Sequence, residues 1–227
     1  MLSAVLFDVD FTLAQPGPDL GPEGYRRLGE RFGLELDPTR YDEARISAVV
    51  DLERHPELDH DEEIWVAFTV RIIAGMGGGS GPEAREAAVE MVRLWEHSHN
   101  FELFDDVLPV LEELRRHRLK IGLVSNTARD LDDFVAHHGL DVDAVVSSGH
   151  FGKTKPHPSI FRFVLDRLEV PPRLAAMVGD SVDDDIEGAL ALGMRAFLID
   201  REGRYPDRER LTDLRALPAA LGLGAYP

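Results

Sequence analysis

The sequence contains no cysteine among its 227 residues. This absence excludes disulfide bonds, thiolate zinc sites and cysteine nucleophiles, although it does not select a cellular compartment. Lysine is also scarce, since Lys120, Lys153 and Lys155 are the whole complement. The start of the chain lacks the basic segment of a signal peptide, and no apolar run approaches the roughly 20 residues that span a bilayer. We therefore expect a cytoplasmic protein with no membrane partner.

Acidic residues dominate the charge of the chain, which has a formal net charge of −17 at pH 7. Nucleic acid is therefore excluded as an expected partner, because binding it requires lysine and arginine to neutralise phosphates. Hydrophobic residues make up 44% of the sequence and charged residues 30%, which is ordinary globular composition. An acidic protein that binds a small anion needs a cation at the binding site.

Short apolar runs alternate with amphipathic segments over much of the chain. Five runs have the character of buried strands: residues 4–7, 120–124, 144–146, 175–178 and 195–199. Helical spacing of apolar residues marks the segments 107–116, 129–138, 159–168 and 183–192. Strands that alternate with helices predict an α/β fold, with a Rossmann-like, doubly wound parallel sheet.

One long interval breaks this alternation. Between the first strand and residue 120, the pattern predicts four helices at residues 22–32, 38–54, 62–74 and 82–97, separated by breaks rich in glycine and proline. We therefore expect a helical domain of residues 15–99, inserted after the first strand of a core formed by residues 1–14 and 100–227.

Polar side chains follow the predicted strands at the points where the strands end. Asp8 and Asp10 follow the first strand, and Ser125 follows the second. Lys155 comes a few residues after the third strand, and an acidic run beginning at Asp180 follows the fourth. Functional groups of open parallel sheets gather outside the carboxyl ends of the strands. These side chains are therefore expected to form one site.

The predicted site concentrates negative charge. Carboxylates such as Asp8 and Asp180, close together and half-buried, cannot all remain ionised without compensation. A divalent cation supplies it, and oxygen ligands without histidine or cysteine favour Mg²⁺ over Zn²⁺. Lys155 adds a fixed positive charge, and Ser125 adds a donor for a phosphoryl oxygen. Together these groups predict phosphoryl transfer.

Asp8 and Asp10 are two residues apart just beyond a strand, so they point the same way while remaining distinct. One carboxylate can attack phosphorus. The other can protonate the leaving oxygen and then deprotonate water. Because Asp8 directly continues the strand, we assign it the attack and Asp10 the proton transfers.

These motifs resemble the four motifs of the haloacid-dehalogenase-like hydrolases, in order and over essentially the whole chain. They are Asp8-x-Asp10-x-Thr12, Ser125, Lys155-Pro156 and Gly179-Asp180-Ser181 with the acids that follow. The helical insert resembles the small mobile cap of the first type in this family. The resemblance implies a Mg²⁺-dependent phosphatase that forms an aspartyl-phosphate on Asp8.

The resemblance also implies a role for each matching residue. The metal ligands would be Asp8, Asp180 and the backbone carbonyl of Asp10. The phosphoryl group would be bound by Thr12, Ser125, Asn126 and Lys155. Asp184 or Asp185 would orient metal-bound water or Lys155, and the family's Asp-Ile-x-Gly continuation favours Asp185.

The sequence leaves several assignments open. Lys153 is an alternative to Lys155, and only the family's Lys-Pro pattern decides between them. Phe11 stands where the family usually has glycine, and we expect it to preserve the turn and to shape the substrate pocket. The substrate is expected to be a small phosphorylated metabolite that the sequence does not identify. The oligomeric state is left open, a monomer included.

Other functions share parts of this pattern. A haloacid dehalogenase would attack carbon with Asp8, but it needs neither Asp10 nor a metal. A sugar phosphomutase keeps every core motif. A phosphonate-cleaving enzyme needs a cap lysine, which the insert lacks. Outside enzymes, the alternatives are a phosphate-binding protein and a receiver-like signalling domain, whose acceptor aspartate would stand where this chain has Ser125.

Overall fold

The computed structural model of the protein describes residues 2–50, 52 and 54–224. The chain divides into two compact units. One unit contains the residues up to Gln15 together with those from Leu103 onward, and the other is Pro16–Glu102. The limits predicted from the sequence were residues 1–14 and 100–227 for the core and 15–99 for the insert. Within the described part of the chain, no helix is both long enough and apolar enough to cross a membrane.

The strands of the described residues are numbered β1 to β7 along the chain. They are β1 Ala4–Phe7, β2 Ala14–Pro16, β3 Phe101–Leu103, β4 Lys120–Ser125, β5 Ala144–Ser147, β6 Ala175–Gly179 and β7 Arg195–Leu198.

The first unit is built on a five-stranded sheet of order β5-β4-β1-β6-β7, in which every neighbouring pair is parallel. Strand β1 is central, with Phe7 in register with Leu123 of β4 and with Val178 of β6. All four residues of β1 are buried, as expected for a strand covered on both faces. The predicted α/β, doubly wound parallel sheet is confirmed.

Ten α-helices are present in the described residues. Those of the insert are α1 Pro22–Arg31, α2 Tyr41–Val50, α3 Glu62–Ile73 and α4 Pro82–Trp95. Those of the first unit are α5 Val107–Arg116, α6 Leu131–His138, α7 Ser148–Phe151, α8 Pro158–Leu168, α9 Gly188–Ala191 and α10 Leu217–Leu221.

Local sequence explains where the main helices begin and end. Asp130 starts α6 because its carboxylate accepts hydrogen bonds from the amides of Asp132 and Asp133. Gly139, with φ +65°, ends the same helix in the left-handed conformation that glycine adopts freely. In the insert, Asp61 caps α3 through the amide of Glu63.

Three features differ from the sequence-based expectation. The prediction that no strand occurs between the first strand and residue 120 was wrong, because β2 and β3 pair into a two-stranded sheet. The helix predicted at residues 183–192 is instead a π-helical turn, Val182–Glu187, followed by the short α9. The helix predicted at residues 38–54 is a 3₁₀ turn followed by α2, and two of its residues, 51 and 53, lie outside the described residues.

Candidate active site

The site lies at the carboxyl edge of the five-stranded sheet. The chain winds from β1 outward through β4 to β5, and then returns to the other side of β1 for β6 and β7. This change of direction opens a crevice at the ends of β1 and β6, where ligands of open α/β sheets bind. The amide of Asp8 donates to the carbonyl of Val178 at 2.9 Å. Asp8, the first residue after β1, is therefore still hydrogen-bonded to β6.

Lys155 lies between two carboxylates in this crevice. Its Nζ is 2.6 Å from Oδ1 of Asp8 and 2.6 Å from Oδ1 of Asp185. All three side chains are buried. The structure therefore brings Lys155 to the predicted site, and it places Asp185, of the two candidate acids, in contact with this lysine.

Asp180 completes an acidic cluster with Asp8 and Asp185. Each of the three offers one carboxylate oxygen, and these oxygens lie within 4.8 Å of one another. A set of carboxylate oxygens suits a hard divalent cation such as Mg²⁺. The cluster contains two of the predicted ligands. The predicted ligand atom of Asp10 is its backbone carbonyl, which the side-chain cluster does not test.

The charges of the cluster perturb one another strongly. Burial raises the pKa of Asp8 well above its usual range, Lys155 opposes this rise, and the neighbouring acids add to it. Burial and the Asp185 charge also raise the pKa of Asp180 to about 6, against the opposing effect of Arg204. Burial lowers the pKa of Lys155, but Asp185 and Asp8 outweigh it, and the pKa lies above its ordinary value. The carboxylates thus carry more negative charge than Lys155 balances. A divalent cation would neutralise the excess.

The turn after β6 sets the position of Asp185. The amide of Ser181 donates to Oδ2 of Asp185 at 3.0 Å, and the amide of Asp184 donates to Oγ of Ser181 at 3.2 Å. Gly179 leaves room for this arrangement, because a Cβ added there would lie 2.1 Å from Oδ2 of Asp185. The exposed Asp183 and the half-buried Asp184 occupy the first turn of the π-helical segment.

Asn126 holds the backbone of Lys155. Its Oδ1 accepts from the Lys155 amide at 2.7 Å, and its Nδ2 donates to the Lys155 carbonyl at 3.1 Å. The predicted contact of Asn126 with phosphate stays a prediction, whereas its observed contacts are with the lysine. Ser125, at the end of β4, is buried at the same edge of the sheet.

Thr12 sits in a tight turn after β1. Its Oγ1 is buried and has no hydrogen-bond partner among the described residues, which leaves one polar atom to be satisfied by a bound group. Its carbonyl accepts from Nε and from a terminal nitrogen of Arg201, at 3.2 and 2.9 Å. The same guanidinium pairs with the buried Asp106 at 2.9 Å.

Phe11 occupies its turn in the left-handed conformation, with φ +61°. This conformation is strained for a residue with a side chain and is typical of functional sites. The turn is intact, because the Phe11 amide donates to the carbonyl of Ala14 at 2.7 Å. The first half of the expectation for Phe11 therefore agrees with the structure, and its effect on a substrate pocket stays a prediction.

Sequence reasoning missed two arginines that contact the predicted site residues. Arg204, beyond β7, donates to Oδ2 of Asp180 at 2.5 Å. Arg129 donates to both carboxylate oxygens of Asp10, at 3.0 and 3.4 Å. Arg129 could have been suspected, because it lies four residues after Ser125 in the loop that follows β4. No motif marks Arg204, whose position depends on the path of a long loop.

A family model described as haloacid dehalogenase-like hydrolase matches residues 2–193. The chain belongs to this family. The predicted recognition is thereby confirmed, as is the prediction of a hydrolase.

Curated relatives in this family are named as phosphatases. A phosphatase of Mycobacterium tuberculosis, named MT3486, is 38% identical over 100% of this chain and 99% of its own length. The glyceraldehyde 3-phosphate phosphatase of Methanopyrus kandleri is 32% identical over 94% of this chain and 90% of its own. The phosphoserine phosphatase of Thermus thermophilus is 36% identical, over 61% of this chain and 55% of its own.

Solved structures with the same fold include proteins with two different activities in their titles. A structure titled as a HAD phosphatase from Thermococcus onnurineus has a TM-score of 0.67 and 26% identity, covering 99% of this chain and 100% of its own. A 2-haloacid dehalogenase from Pseudomonas syringae has a TM-score of 0.63 and 27% identity, covering 98% of this chain and 99% of its own.

Proposed function

We propose that this protein hydrolyses a small phosphate monoester with the help of Mg²⁺, through an aspartyl-phosphate on Asp8. The observation that carries the proposal is the buried Asp8 carboxylate, 2.6 Å from Lys155 and grouped with Asp180 and Asp185. A nucleophile, a fixed cation and a candidate metal cluster thus meet at one strand end. The phosphatase names of relatives that match almost the whole chain support the same activity.

In the first step, an oxygen of Asp8 forms a bond to phosphorus while the ester P–O bond breaks. Asp10 gives its proton to the departing oxygen. In the second step, a water oxygen attacks the same phosphorus, Asp10 takes a proton from that water, and the Asp8–phosphorus bond breaks to release phosphate. Lys155 supports both steps, because its ammonium lies beside the attacking oxygen and offsets charge that builds on the phosphoryl group.

Mg²⁺ held by Asp8, Asp180 and the Asp10 carbonyl would neutralise phosphoryl charge and screen Asp8 from its acidic neighbours. Asp185 would keep Lys155 directed at the reacting group. Ser125, Thr12 and Asn126 are proposed to complete the phosphoryl site. The helical insert is proposed to act as the cap that admits the substrate.

The experiment is hydrolysis of p-nitrophenyl phosphate by the purified chain, with Mg²⁺ and with EDTA. We expect turnover that needs the metal and that Asp8→Asn abolishes, because the nucleophile is then lost. Matched controls are Lys155→Met against Lys153→Met, and Asp185→Asn against Asp183→Asn. The first member of each pair should lose at least about 100-fold in kcat, and the second should stay near wild type. Turnover by Asp8→Asn, or equal losses within a pair, would contradict the assignment.

A panel of metabolites tests the substrate class. The names of the relatives place glyceraldehyde 3-phosphate and O-phosphoserine in it, beside sugar phosphates, phosphoglycolate and nucleoside monophosphates. Release of inorganic phosphate from any of them, dependent on Asp8, would support the proposal. A protein that binds these esters without turnover would instead be a phosphate-binding protein.

A haloacid dehalogenase is the second candidate, because a structure of that activity shares 27% identity with the chain over 98% of its length. Its water attacks the carbonyl carbon of an Asp8 ester, whereas the proposed phosphatase takes water at phosphorus. A single turnover in H₂¹⁸O should therefore leave Asp8 unlabelled and label the released phosphate. Label in the Asp8 carboxylate, with halide released from 2-chloropropionate, would favour the dehalogenase.

A further inference from the structure

Arg129 is the bulkiest of the fully buried side chains in the described residues, with 1% of the residue exposed. It lies in the loop between β4 and α6, two residues before the helix begins. Burying a guanidinium costs several kcal/mol unless a carboxylate and hydrogen bonds compensate it, on the order of the penalties measured for unpaired buried charges. The buried guanidinium of Arg129 therefore requires a carboxylate to compensate its charge.

The partner is Asp10, the residue assigned to proton transfer. The two terminal nitrogens of Arg129 reach Oδ1 and Oδ2 of Asp10, at 3.0 and 3.4 Å. A guanidinium that contacts both oxygens fixes the plane of the carboxyl group as well as its place. The arginine side of the pair is fully buried, while the Asp10 side chain keeps 20% of its surface exposed. The Asp10 carboxyl group is therefore hydrogen-bonded to Arg129 on its buried side and is partly exposed to solvent on the other.

The guanidinium is itself held by its surroundings. It lies 5.4 Å from the centre of the ring of Phe134, a fully buried residue of α6. The backbone amide of Arg129 donates to Oγ1 of Thr127 at 3.2 Å, which fixes the loop from which the side chain leaves. Arg129 thus links the packing of α6 to the orientation of Asp10.

We propose that Arg129 is a positioning residue that aims the Asp10 carboxyl group at the leaving oxygen of the substrate. This inference rests on the proposed phosphatase activity. In the step concerned, the O–H bond of Asp10 breaks and its proton passes to the leaving oxygen as the ester P–O bond breaks. Arg129 neither gives nor takes a proton, because a guanidinium remains protonated in proteins. Its effect on the rate is transmitted through the angle and distance at which Asp10 meets the leaving oxygen.

A purely structural ion pair would have a different kinetic signature. Loss of folding or of general order lowers the rate for every substrate by the same factor. Loss of a directed proton donor lowers the rate most for a leaving group that needs the proton. Phenyl phosphate and p-nitrophenyl phosphate test this distinction, because they have nearly the same shape and differ in how well the phenolate leaves without a proton.

The test measures kcat/KM for both esters with Mg²⁺ in Arg129→Met, since this ratio reports the steps up to formation of the aspartyl-phosphate. We expect kcat/KM to fall about tenfold or more further for phenyl phosphate than for p-nitrophenyl phosphate. In an Asp10→Asn background the proton donor is already gone, so Arg129→Met should not change the ratio of the two esters again. A further change there, or an equal fall for both esters in the single variant, would overturn the inference.

Arg115→Met is the matched control. Arg115, in α5, pairs with Asp143 at 2.6 Å, and Asp143 accepts from the amide of Ile121 at the start of β4. This pair is a partly buried arginine–aspartate contact at the opposite end of the same strand. Its loss should lower stability without altering the ratio of the two esters, and an altered ratio would show that any lost ion pair produces the effect.

Folding of the variants is checked by circular dichroism and thermal melting. If Arg129→Met does not fold, Arg129→Lys decides, because it keeps the charge but cannot bridge both oxygens; it should shift the ratio in the same direction to a smaller extent. An unchanged ratio, or failure of both variants to fold, would assign Arg129 a structural role only. Failure of the wild-type protein to hydrolyse either ester would overturn the proposed function itself.

Discussion

Asp180 lies beside both negatively and positively charged side chains. It is close to Asp185 and Asp8, and it also receives a hydrogen bond from Arg204 at 2.5 Å. Burial and the Asp185 charge prevail over Arg204, and the pKa of Asp180 rises to about 6. In the metal-free protein this carboxyl group resists ionisation.

The raised pKa of Asp180 predicts a pH-dependent stability. In the unfolded chain the group ionises near its ordinary pKa of 3.8, whereas in the folded chain it keeps its proton up to about pH 6. Its contribution to stability is therefore present below about pH 4 and is lost as the pH rises to about 6. Asp180→Asn should be more stable than wild type in EDTA at pH 7, by about 3 kcal/mol, and nearly as stable as wild type near pH 4.

Urea unfolding of both proteins between pH 4 and 7 measures this difference. Asp183→Asn, at the exposed neighbouring position, should show no comparable change with pH. A difference between wild type and Asp180→Asn that is the same at every pH would contradict the linkage. Added Mg²⁺ should reverse the order at pH 7 by stabilising the wild type selectively.

At the residue scale, the sequence predicted the groups that strand ends position and missed those that distant loops bring in. Asp8 and Asp180 were identifiable because each follows a buried strand directly. The family pattern favoured Asp185 over Asp184 without deciding between them, and Asp185 is the one of the two that is observed to contact Lys155. The contact of Arg204 with Asp180 could not be anticipated, because it depends on the folded path of the loop beyond β7.

The turn between β6 and α9 is closely packed around Gly179. Gly179→Ala should displace the Asp185 side chain, because the new methyl group would lie within 2.6 Å of its Oδ2, Cγ and Cβ atoms. We expect a loss of at least about tenfold in kcat and weaker restraint of Lys155. Steady-state hydrolysis of p-nitrophenyl phosphate measures it. Gly224→Ala controls for glycine replacement, because φ there is not positive and an added Cβ meets no atom within 4 Å. Near-wild-type activity of Gly179→Ala would contradict the account.

The loop that carries Lys155 is anchored from a second element through Asn126. Asn126→Ala removes both side-chain hydrogen bonds to the Lys155 backbone and should lower kcat about tenfold, with a loss of about 1–2 kcal/mol in stability. Asn126→Asp keeps the acceptor for the Lys155 amide but sets a carboxylate oxygen against the Lys155 carbonyl, so it should lose activity as well, because the two oxygens repel each other. A KM that rises while kcat stays constant in Asn126→Ala would instead indicate the contact with substrate that the sequence predicted.

Element boundaries show why some local structure escaped prediction. The five strands of the main sheet were identified because each is an apolar run. Strands β2 and β3 have three residues each, one of them buried in each case, and no pattern of alternation. Their pairing depends on segments more than 80 residues apart along the chain, which periodicity does not report.

At the scale of the whole molecule, each unit has buried residues of its own. The unit that contains the sheet comprises about 140 residues, enough for an independent core. Its apolar cluster includes Leu6, Phe161 and Met177, all from that unit. The domain limits predicted from the sequence rest on the break in strand–helix alternation. Such a break does not mark the exact residues at which the chain passes from one unit to the other.

Removal of the insert is expected to leave a folded protein. A chain in which a short glycine linker replaces Pro16–Glu102 should unfold cooperatively and bind Mg²⁺, because the sheet and the acidic cluster remain. We expect it to hydrolyse p-nitrophenyl phosphate slowly and to discriminate poorly among the metabolites of the panel. Asp8→Asn in the shortened chain is the control. A shortened chain with native-like helix content but no cooperative transition would contradict independent folding.

The ends of the insert meet, since the amide of Gly17 donates to the carbonyl of Asn100 at 2.7 Å. A segment whose two ends lie close together can be replaced by another segment through recombination without changing the topology of the surrounding strands. The helices of the insert, which we propose to admit the substrate, could then be replaced as a unit in evolution. The proposed hydrolytic residues at the strand ends would instead change by point substitution.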